Sequence, residues 1–336
     1  MTVLVTGAAG FIGFHVTKKL IENDIEVIAA DNINDYYDVS LKESRLKELG
    51  ISMTFGDVVK SNKFKNLFFT KIDLKDPVSV KNLFQTNNID IVCHLAAQPG
   101  IRYSIINPGA YIENNIIAFF NLIQTINEFN TSLFVYASSS SVYGNSNKVP
   151  FTEQGDTEHP VSFYAATKKS NELLAHTYAH NFGIKTIGLR FFTAYGPWGR
   201  PDMAYYSFTK NIYEGKPITL FNNGELKRDF TYIEDIASGI YNIIASKGKA
   251  TNDNYKIYNI GNHESVELSR FVKAIEDATG KKALIEYKPM QTGDVFTTCA
   301  DIKEIQRDYN FKPATDIEEG IRKFVEWYKT YHQIKS

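Results

Sequence analysis

Thr2-Val3-Leu4-Val5-Thr6-Gly7-Ala8-Ala9-Gly10-Phe11-Ile12-Gly13-Phe14 is an apolar run followed by three glycines in a Gly-x-x-Gly-x-x-Gly spacing. Thr2 to Thr6 reads as a buried strand, Gly7 to Gly13 as a turn, and Phe14 to Asn23 as a helix. Glycines permit the tight turn and let backbone N–H groups approach a pyrophosphate at the helix N-terminus. Gly7, Gly10, Phe11, Ile12 and Gly13 are therefore the candidate dinucleotide-binding residues. Glu26 to Ala30 is the next strand, and it ends at Asp31, eighteen residues past Gly13. A carboxylate there accepts hydrogen bonds from an adenosine ribose and repels a 2′-phosphate. Asn32 follows rather than an arginine, so the cofactor expected is NAD and not NADP.

Strand, turn, helix and strand in this order form a βαβ unit, which demands a parallel sheet covered by helices. Further units follow. Residues 89–95 and 132–137 read as buried strands, 111–127 and 163–182 as helices, and 185–190 as another strand. The fold class expected is α/β, a doubly wound parallel (Rossmann) sheet over residues 1–188. A smaller α+β unit is expected over 189–336, because Gly196, Pro197, Gly199, Pro201, Gly215, Pro217 and Gly224 punctuate short elements there. Tyr255 to Ile260 reads as a strand that rejoins the first sheet, so segments near 230–262 are expected to return to it. Residues 36–49 read as a short helix and 50–69 as a surface insertion without a clear period.

Bulk properties exclude several function classes. The 336 residues are 43% hydrophobic and 22% charged, with a net charge of −1 and no basic block. That balance disfavours nucleic acid as a partner. Cys93 and Cys299 stand in unrelated contexts, which argues against a disulfide framework and for a reducing compartment. The first strand pattern begins at Val3, leaving no room for a signal peptide, and no run of about eighteen apolar residues predicts a membrane span. Cytoplasmic residence and no bound metal are the resulting expectations.

Tyr164-Ala165-Ala166-Thr167-Lys168 places a phenol and an ammonium one turn apart on one helix face. A nearby cation lowers a tyrosine pKa and makes the phenol usable as an acid–base near neutrality. Ser138 to Ser141 lie between a predicted strand and Val142-Tyr143-Gly144, at the strand end where ligands sit in open α/β sheets.

The glycine spacing together with the Tyr164/Lys168 pair resembles the extended short-chain dehydrogenase/reductase family over nearly the whole chain. The resemblance implies that Asp73-Leu74 meets the adenine, that Leu95-Ala96-Ala97 lines the cofactor, and that Asn115, near the active-site helix, is a further cofactor-binding residue. It implies that Ser139 hydrogen-bonds the reacting sugar oxygen, that Tyr164 moves the proton, and that Lys168 lowers the Tyr164 pKa and holds the nicotinamide ribose. Dehydratases of that family carry Asp-Glu after the reactive hydroxyl and decarboxylases a nearby glutamate. Ser140 and Ser141 stand here instead, leaving epimerisation.

Phe191-Phe192-Thr193-Ala194-Tyr195-Gly196-Pro197-Trp198-Gly199-Arg200-Pro201-Asp202-Met203 resembles UDP-glucuronate 4-epimerases, as do residues 31–38 and 98–104. Ala194 replaces a usual valine and Thr292 a usual proline. The implied substrate is a UDP-sugar with a carboxylate held by Thr193, Arg200, Ser140 and Ser141. Arg228 is implied for the diphosphate, and Gln291 and Asp294 for a second loop near the nucleotide. A homodimer through the 111–127 and 163–182 helices is implied as well. The competing readings are a 4-epimerase of neutral or N-acetylated UDP-sugars, a net reductase, and a non-catalytic NAD-binding regulator.

Overall fold

The computed structural model describes residues 1–52, 58–146, 148–251, 253–290 and 295–334. The first half alternates strand and helix: β1 (Thr2–Thr6), α1 (Phe11–Ile21), β2 (Glu26–Asp31), α2 (Val39–Glu48), β3 (Val59–Lys60), β4 (Leu67–Lys71), α3 (Pro77–Thr86) and β5 (Ile91–His94). Next come α4 (Ile101–Ile106), α5 (Pro108–Tyr111), a π-helical segment (Ile112–Ile117), α6 (Ala118–Glu128), β6 (Leu133–Ser139), α7 (Phe163–Phe182) and β7 (Thr186–Phe191). Among the described residues the main sheet has eight strands in the order β11-β7-β6-β5-β1-β2-β4-β3, where β11 spans Tyr255–Ile260. Every pairing is parallel except β3 with β4. The strand order reverses between β1 and β5, and a crevice opens at the strand carboxyl ends there. Strands such as β1, β5 and β7 are buried almost throughout because helices cover both faces, which is why they read as unbroken apolar runs.

After β7 the chain forms β8 (Thr193–Tyr195), α8 (Ala204–Glu214), β9 (Pro217–Phe221), β10 (Lys227–Tyr232) and α9 (Ile233–Ala245). Beyond β11 lie β12 (Ser265–Glu267), α10 (Leu268–Thr279), β13 (Leu284–Lys288), α11 (Lys303–Tyr309) and α12 (Ile317–Tyr331). Two small sheets, β12-β10-β8 and β13-β9, form the second lobe. Of the 230–262 stretch, α9 packs on α1 and β11 pairs with β7, whereas β10 belongs to the small sheet. No helix among the described residues is long and apolar enough to cross a membrane.

Three local expectations differ from the structure. Helix α1 begins at Phe11 rather than Phe14, because Gly7, at φ +72°, and Gly10 complete the reversal by themselves. Gly13 lies inside the helix, where a Cβ would stand 2.1 Å from the Gly7 carbonyl oxygen. Residues 50–69 are not only a surface insertion: β4 pairs with β2 from Val27↔Leu67 to Asp31↔Lys71, and Leu67 and Phe69 are buried. The run 111–127 is not one regular helix. Its π-helical segment turns Asn115 inward, where it is almost fully buried. Helix α7 matches its expected span. Ser162 caps its N-terminus by accepting from the Ala165 N–H at 3.1 Å, and Gly183 ends it in the left-handed conformation.

Candidate active site

A cavity of about 880 Å³ lies at the carboxyl ends of the strands and extends between the two lobes. At one end the glycine turn forms its wall. A Cβ on Gly7 would stand 2.6 Å from the Ala96 nitrogen, so the turn rests directly against Leu95-Ala96-Ala97. The N-cap of α1 is Gly10, which offers no side-chain acceptor, so the first-turn N–H groups open onto the cavity beside Phe11, Ile12 and Gly13. Asp31 is fixed by the Ala9 N–H at 3.0 Å and the Ile33 N–H at 2.8 Å, with Asn32 next to it on the wall. Asp73 and Leu74 line the same end. Asp73 does not cap α3; Asp76 does, accepting from the Val78 N–H at 3.1 Å. An uncapped helix N-terminus, a carboxylate at the end of β2 and a backbone cradle free of side chains fit a dinucleotide.

The middle of the cavity holds Ser139, Tyr164 and Lys168. Tyr164 lies in the first turn of α7, and it lines the cavity together with Ser139. The Ser139 hydroxyl accepts from the Ser141 N–H at 3.2 Å and the Ser141 hydroxyl at 2.9 Å. Lys168 is buried, donates to the Ala137 carbonyl at 2.9 Å, and sits 5.9 Å from the Tyr164 ring centroid. Burial raises the Tyr164 pKa, while the neighbouring Ser139 hydroxyl and the Arg200 charge pull it down. Lys168 was expected to supply that lowering. In the structure its ammonium is turned toward Ala137, and burial brings its own pKa down to about 8. Tyr111 meets Tyr164 edge-on, with centroids 6.1 Å apart.

At the far end stand Thr193, Arg200 and Arg228, with Ser140 and Ser141 on the adjoining wall. Arg200 forks onto Asp202, Nε to Oδ1 at 3.0 Å and Nη2 to Oδ2 at 2.6 Å, so this cation is already paired and planar within the cavity. Arg228 donates to the Lys227 and Phe296 carbonyls at 2.9 and 3.2 Å. Gln291 and Asp294 lie outside the described residues.

One candidate falls off the cavity wall. Asn115 uses its amide internally, accepting from the Gln98 N–H at 2.7 Å and donating to the Gln98 carbonyl at 3.1 Å and the Thr167 hydroxyl at 3.0 Å. It braces the loop after β5 against α7 rather than reaching a ligand. Sequence reasoning also missed residues. Lys42 and Arg102 line the cavity, the latter 5.3 Å from the Phe221 ring across the lobe boundary. Beneath the site, Glu172 accepts from Ser138 at 2.6 Å and from the Arg190 Nε and Nη2 at 2.8 and 2.9 Å, all buried. The i, i+4, i+8 spacing of Tyr164, Lys168 and Glu172 was the available signal. Among the described residues no group of three or more His, Cys, Asp or Glu could hold a metal.

Residues 3–261 match the family described as NAD dependent epimerase/dehydratase. The chain is 45% identical over 346 residues to Protein CapI of Staphylococcus aureus, covering 99% of this chain and all of that one. It is 44% identical over 347 residues to UDP-glucuronate 4-epimerase 4 of Arabidopsis thaliana, covering 99% of this chain and 76% of that relative. Among solved structures, the UDP-glucuronic acid 4-epimerase of Bacillus cereus in complex with UDP-glucuronic acid and NAD superposes with a TM-score of 0.88 at 32% identity. That match covers 98% of this chain and 100% of that one.

Proposed function

Because this chain belongs to the NAD dependent epimerase/dehydratase family, we propose that it inverts C4 of a UDP-hexuronate, interconverting UDP-glucuronate and UDP-galacturonate through a transient 4-keto sugar. The observation that carries this reading is the continuous cavity lined by the glycine turn, by Ser139, Tyr164 and Lys168, and by Thr193, Arg200 and Arg228. The cofactor is NAD, which when bound would supply two-electron oxidation and re-reduction at C4. The glycine turn holds its pyrophosphate, Asp31 and Asn32 its adenosine ribose, Asp73 and Leu74 its adenine, and Leu95-Ala96-Ala97 the wall between.

Tyr164, as phenolate, takes the proton of the C4 hydroxyl and later returns it to the ketone oxygen. Ser139, beside the phenol in the cavity, shares that oxygen and keeps it within reach. Lys168 holds the nicotinamide ribose. Serines at 140 and 141 put no carboxylate beside Ser139, and Asp202 is engaged by Arg200, so a second base for elimination is lacking at that point. Tyr164 therefore works reversibly, and the keto sugar turns over between the two half-reactions.

Oxidation at C4 makes a β-keto acid, which loses CO₂ when the bond to the carboxylate aligns with the ketone π system. Thr193, Arg200 and the Ser140 and Ser141 hydroxyls hold the carboxylate out of that alignment. The Asp202 fork fixes the plane of the Arg200 guanidinium, so the acid group meets a directed donor rather than a mobile charge. Arg228 binds the diphosphate, and Gln291 and Asp294 are further candidates for contacts to the nucleotide.

Two halves are assigned on this reading: the main sheet with its helices binds the cofactor, and the lobe built on the two small sheets binds the UDP-sugar. A homodimer is assigned through α6 and α7, where Phe120 and Leu173 stand exposed, flanked by Ile117 and Phe182. Free Cys93 and Cys299 fit a reducing compartment, and the enzyme is placed in the cytoplasm.

The test is incubation of the purified protein with UDP-glucuronate and no added cofactor, followed by sugar analysis. UDP-galacturonate formation without net NADH supports the reading. Conversion of UDP-glucose or an N-acetylated UDP-sugar with UDP-glucuronate left untouched overturns it.

A further inference from the structure

Arg45 of α2 is wholly buried, and all five of its N–H groups are used without a carboxylate among their acceptors. Nε and Nη2 donate to the Trp198 carbonyl at 3.0 and 2.7 Å, and Nη2 also reaches the Gly199 carbonyl at 3.3 Å. Nη1 donates to the Ala9 carbonyl at 2.8 Å and the Tyr37 hydroxyl at 2.6 Å. Ala9 sits between Gly7 and Gly10 of the cofactor turn, and Trp198-Gly199 immediately precede Arg200. One planar cation therefore bridges the two binding ends of the cavity through the main chain.

Two further features concentrate on the same loop. Trp198 holds φ at +61°, a region that residues with a side chain seldom adopt, and Arg45 grips its carbonyl twice. The Pro197 carbonyl is hydrogen-bonded by the His15 ring of α1 at 2.9 Å, so carbonyls 197, 198 and 199 are all held from the cofactor half. On the turn side the Ala9 peptide is clamped at both ends, its N–H by Asp31 and its carbonyl by Arg45. A guanidinium buried among neutral acceptors costs desolvation with no ion-pair return. Its five-donor fork is the one side-chain geometry that can tie this set of carbonyls together.

We propose that Arg45 is a positioning residue that joins the cofactor turn to the loop carrying Arg200, so that ordering the Ala9 peptide and presenting Arg200 to the sugar acid become one event. The Arg200 part of this rests on the function proposed above. The joining of turn and loop does not.

The experiment uses Arg45→Lys in the NAD-loaded protein, since lysine keeps the charge but has only three donors at a single point. Hydrogen exchange read by mass spectrometry is expected to quicken roughly tenfold at residues 196–203 and 7–13, and to stay unchanged at 133–139 and 255–260. KM for UDP-glucuronate is expected to rise about tenfold with kcat within about twofold, and to rise no further when Arg45→Lys is added to Arg200→Ala. Unchanged exchange at 196–203, or faster exchange spread over the whole sheet, overturns the proposal. An Arg200→Ala variant with unaltered KM refutes the carboxylate role of Arg200, while the exchange result still decides Arg45. If Arg45→Lys does not fold, Tyr37→Phe decides: it removes one acceptor, and a rise confined to the same two segments supports the proposal whereas no rise overturns it.

Discussion

Replacing Glu172 by Gln tests whether the buried ion pair under α7 sets the geometry of the catalytic face. Glu172 accepts from Ser138 at 2.6 Å and from Arg190 at 2.8 and 2.9 Å, with Lys169 3.5 Å away. Glutamine keeps the volume, but one of its two ends becomes a donor facing donors, and Arg190 is left charged and buried without a counterion. Breaking such a pair costs about 3–5 kcal/mol. At about 2.1 cal/mol/K per residue, the 336 residues of this chain give an unfolding entropy of about 0.7 kcal/mol/K, so the midpoint should fall by roughly 4–7 °C. Burial alone raises the Glu172 pKa, but Arg190, Ser138 and Lys169 outweigh it and leave the carboxyl below its usual range. Its contribution is therefore full above the unfolded value of 4.5 and is lost as pH falls through the folded one, so the gap between wild type and variant should close in acid. Ser138 adjoins Ser139, and Glu172 lies one turn past Lys168. Loosening this contact shifts Ser139 and Lys168 against each other, and on the proposed mechanism a misplacement of about 1 Å costs up to about a hundredfold in kcat. Thermal melts at pH 7 and pH 4 and steady-state kinetics check this. A midpoint within about 1 °C of wild type, or a melting loss without any fall in kcat, refutes the reasoning.

Tyr164→Phe removes the proposed acid–base and should lower kcat by about 10²–10⁴-fold while leaving UDP-sugar binding by calorimetry intact. Arg200→Ala removes a charge-assisted contact worth about 1.5–3 kcal/mol, so KM for UDP-glucuronate should rise about 10–100-fold and a UDP-pentose should appear among the products. Unchanged KM with no pentose counts against the carboxylate clamp. Burial, with a smaller contribution from Lys168, lowers the His94 pKa from 6.5 to about 3, so the folded protein excludes a proton that the unfolded chain binds. Stability from this group is complete above pH 6.5 and is lost as pH falls toward 3. Between pH 7 and pH 5 wild type should therefore lose about 2 kcal/mol more than His94→Gln, as read from urea midpoints.

Some of this was legible in the chain because the chemistry is local. The glycine spacing, the Asp31 carboxylate at a strand end and the Tyr164/Lys168 helical pair each act within a few residues of themselves, so one-dimensional spacing carries them. Strand β4 was missed because Asn66-Leu67-Phe68-Phe69-Thr70-Lys71 is short and lies amid a stretch with no period of its own. Its place beside β2 comes from pairing across forty residues. Asn115 was assigned to the cofactor wall because nothing in a helical pattern announces a π-turn, and that turn is what rotates its amide toward Gln98 and Thr167. The expected lowering of the Tyr164 pKa by Lys168 followed from helix spacing. Where the ammonium points is decided by the Ala137 carbonyl on a neighbouring strand.

By itself the sequence determined the parallel α/β sheet and the NAD cofactor, and it proposed the reactive groups, because periodicity, turn chemistry and residue type are properties of contiguous segments. The tertiary structure alone decided which groups meet. Arg200 pairs with Asp202 and acts on Tyr164 from another lobe, Glu172 pairs with Arg190 and Ser138 beneath the site, and Arg45 reaches Ala9 and Trp198, 36 and 153 residues away. Apart from the short-range Arg200–Asp202 fork, these are contacts between distant segments, and their energies depend on desolvation and geometry that exist only once the sheet has brought those segments together.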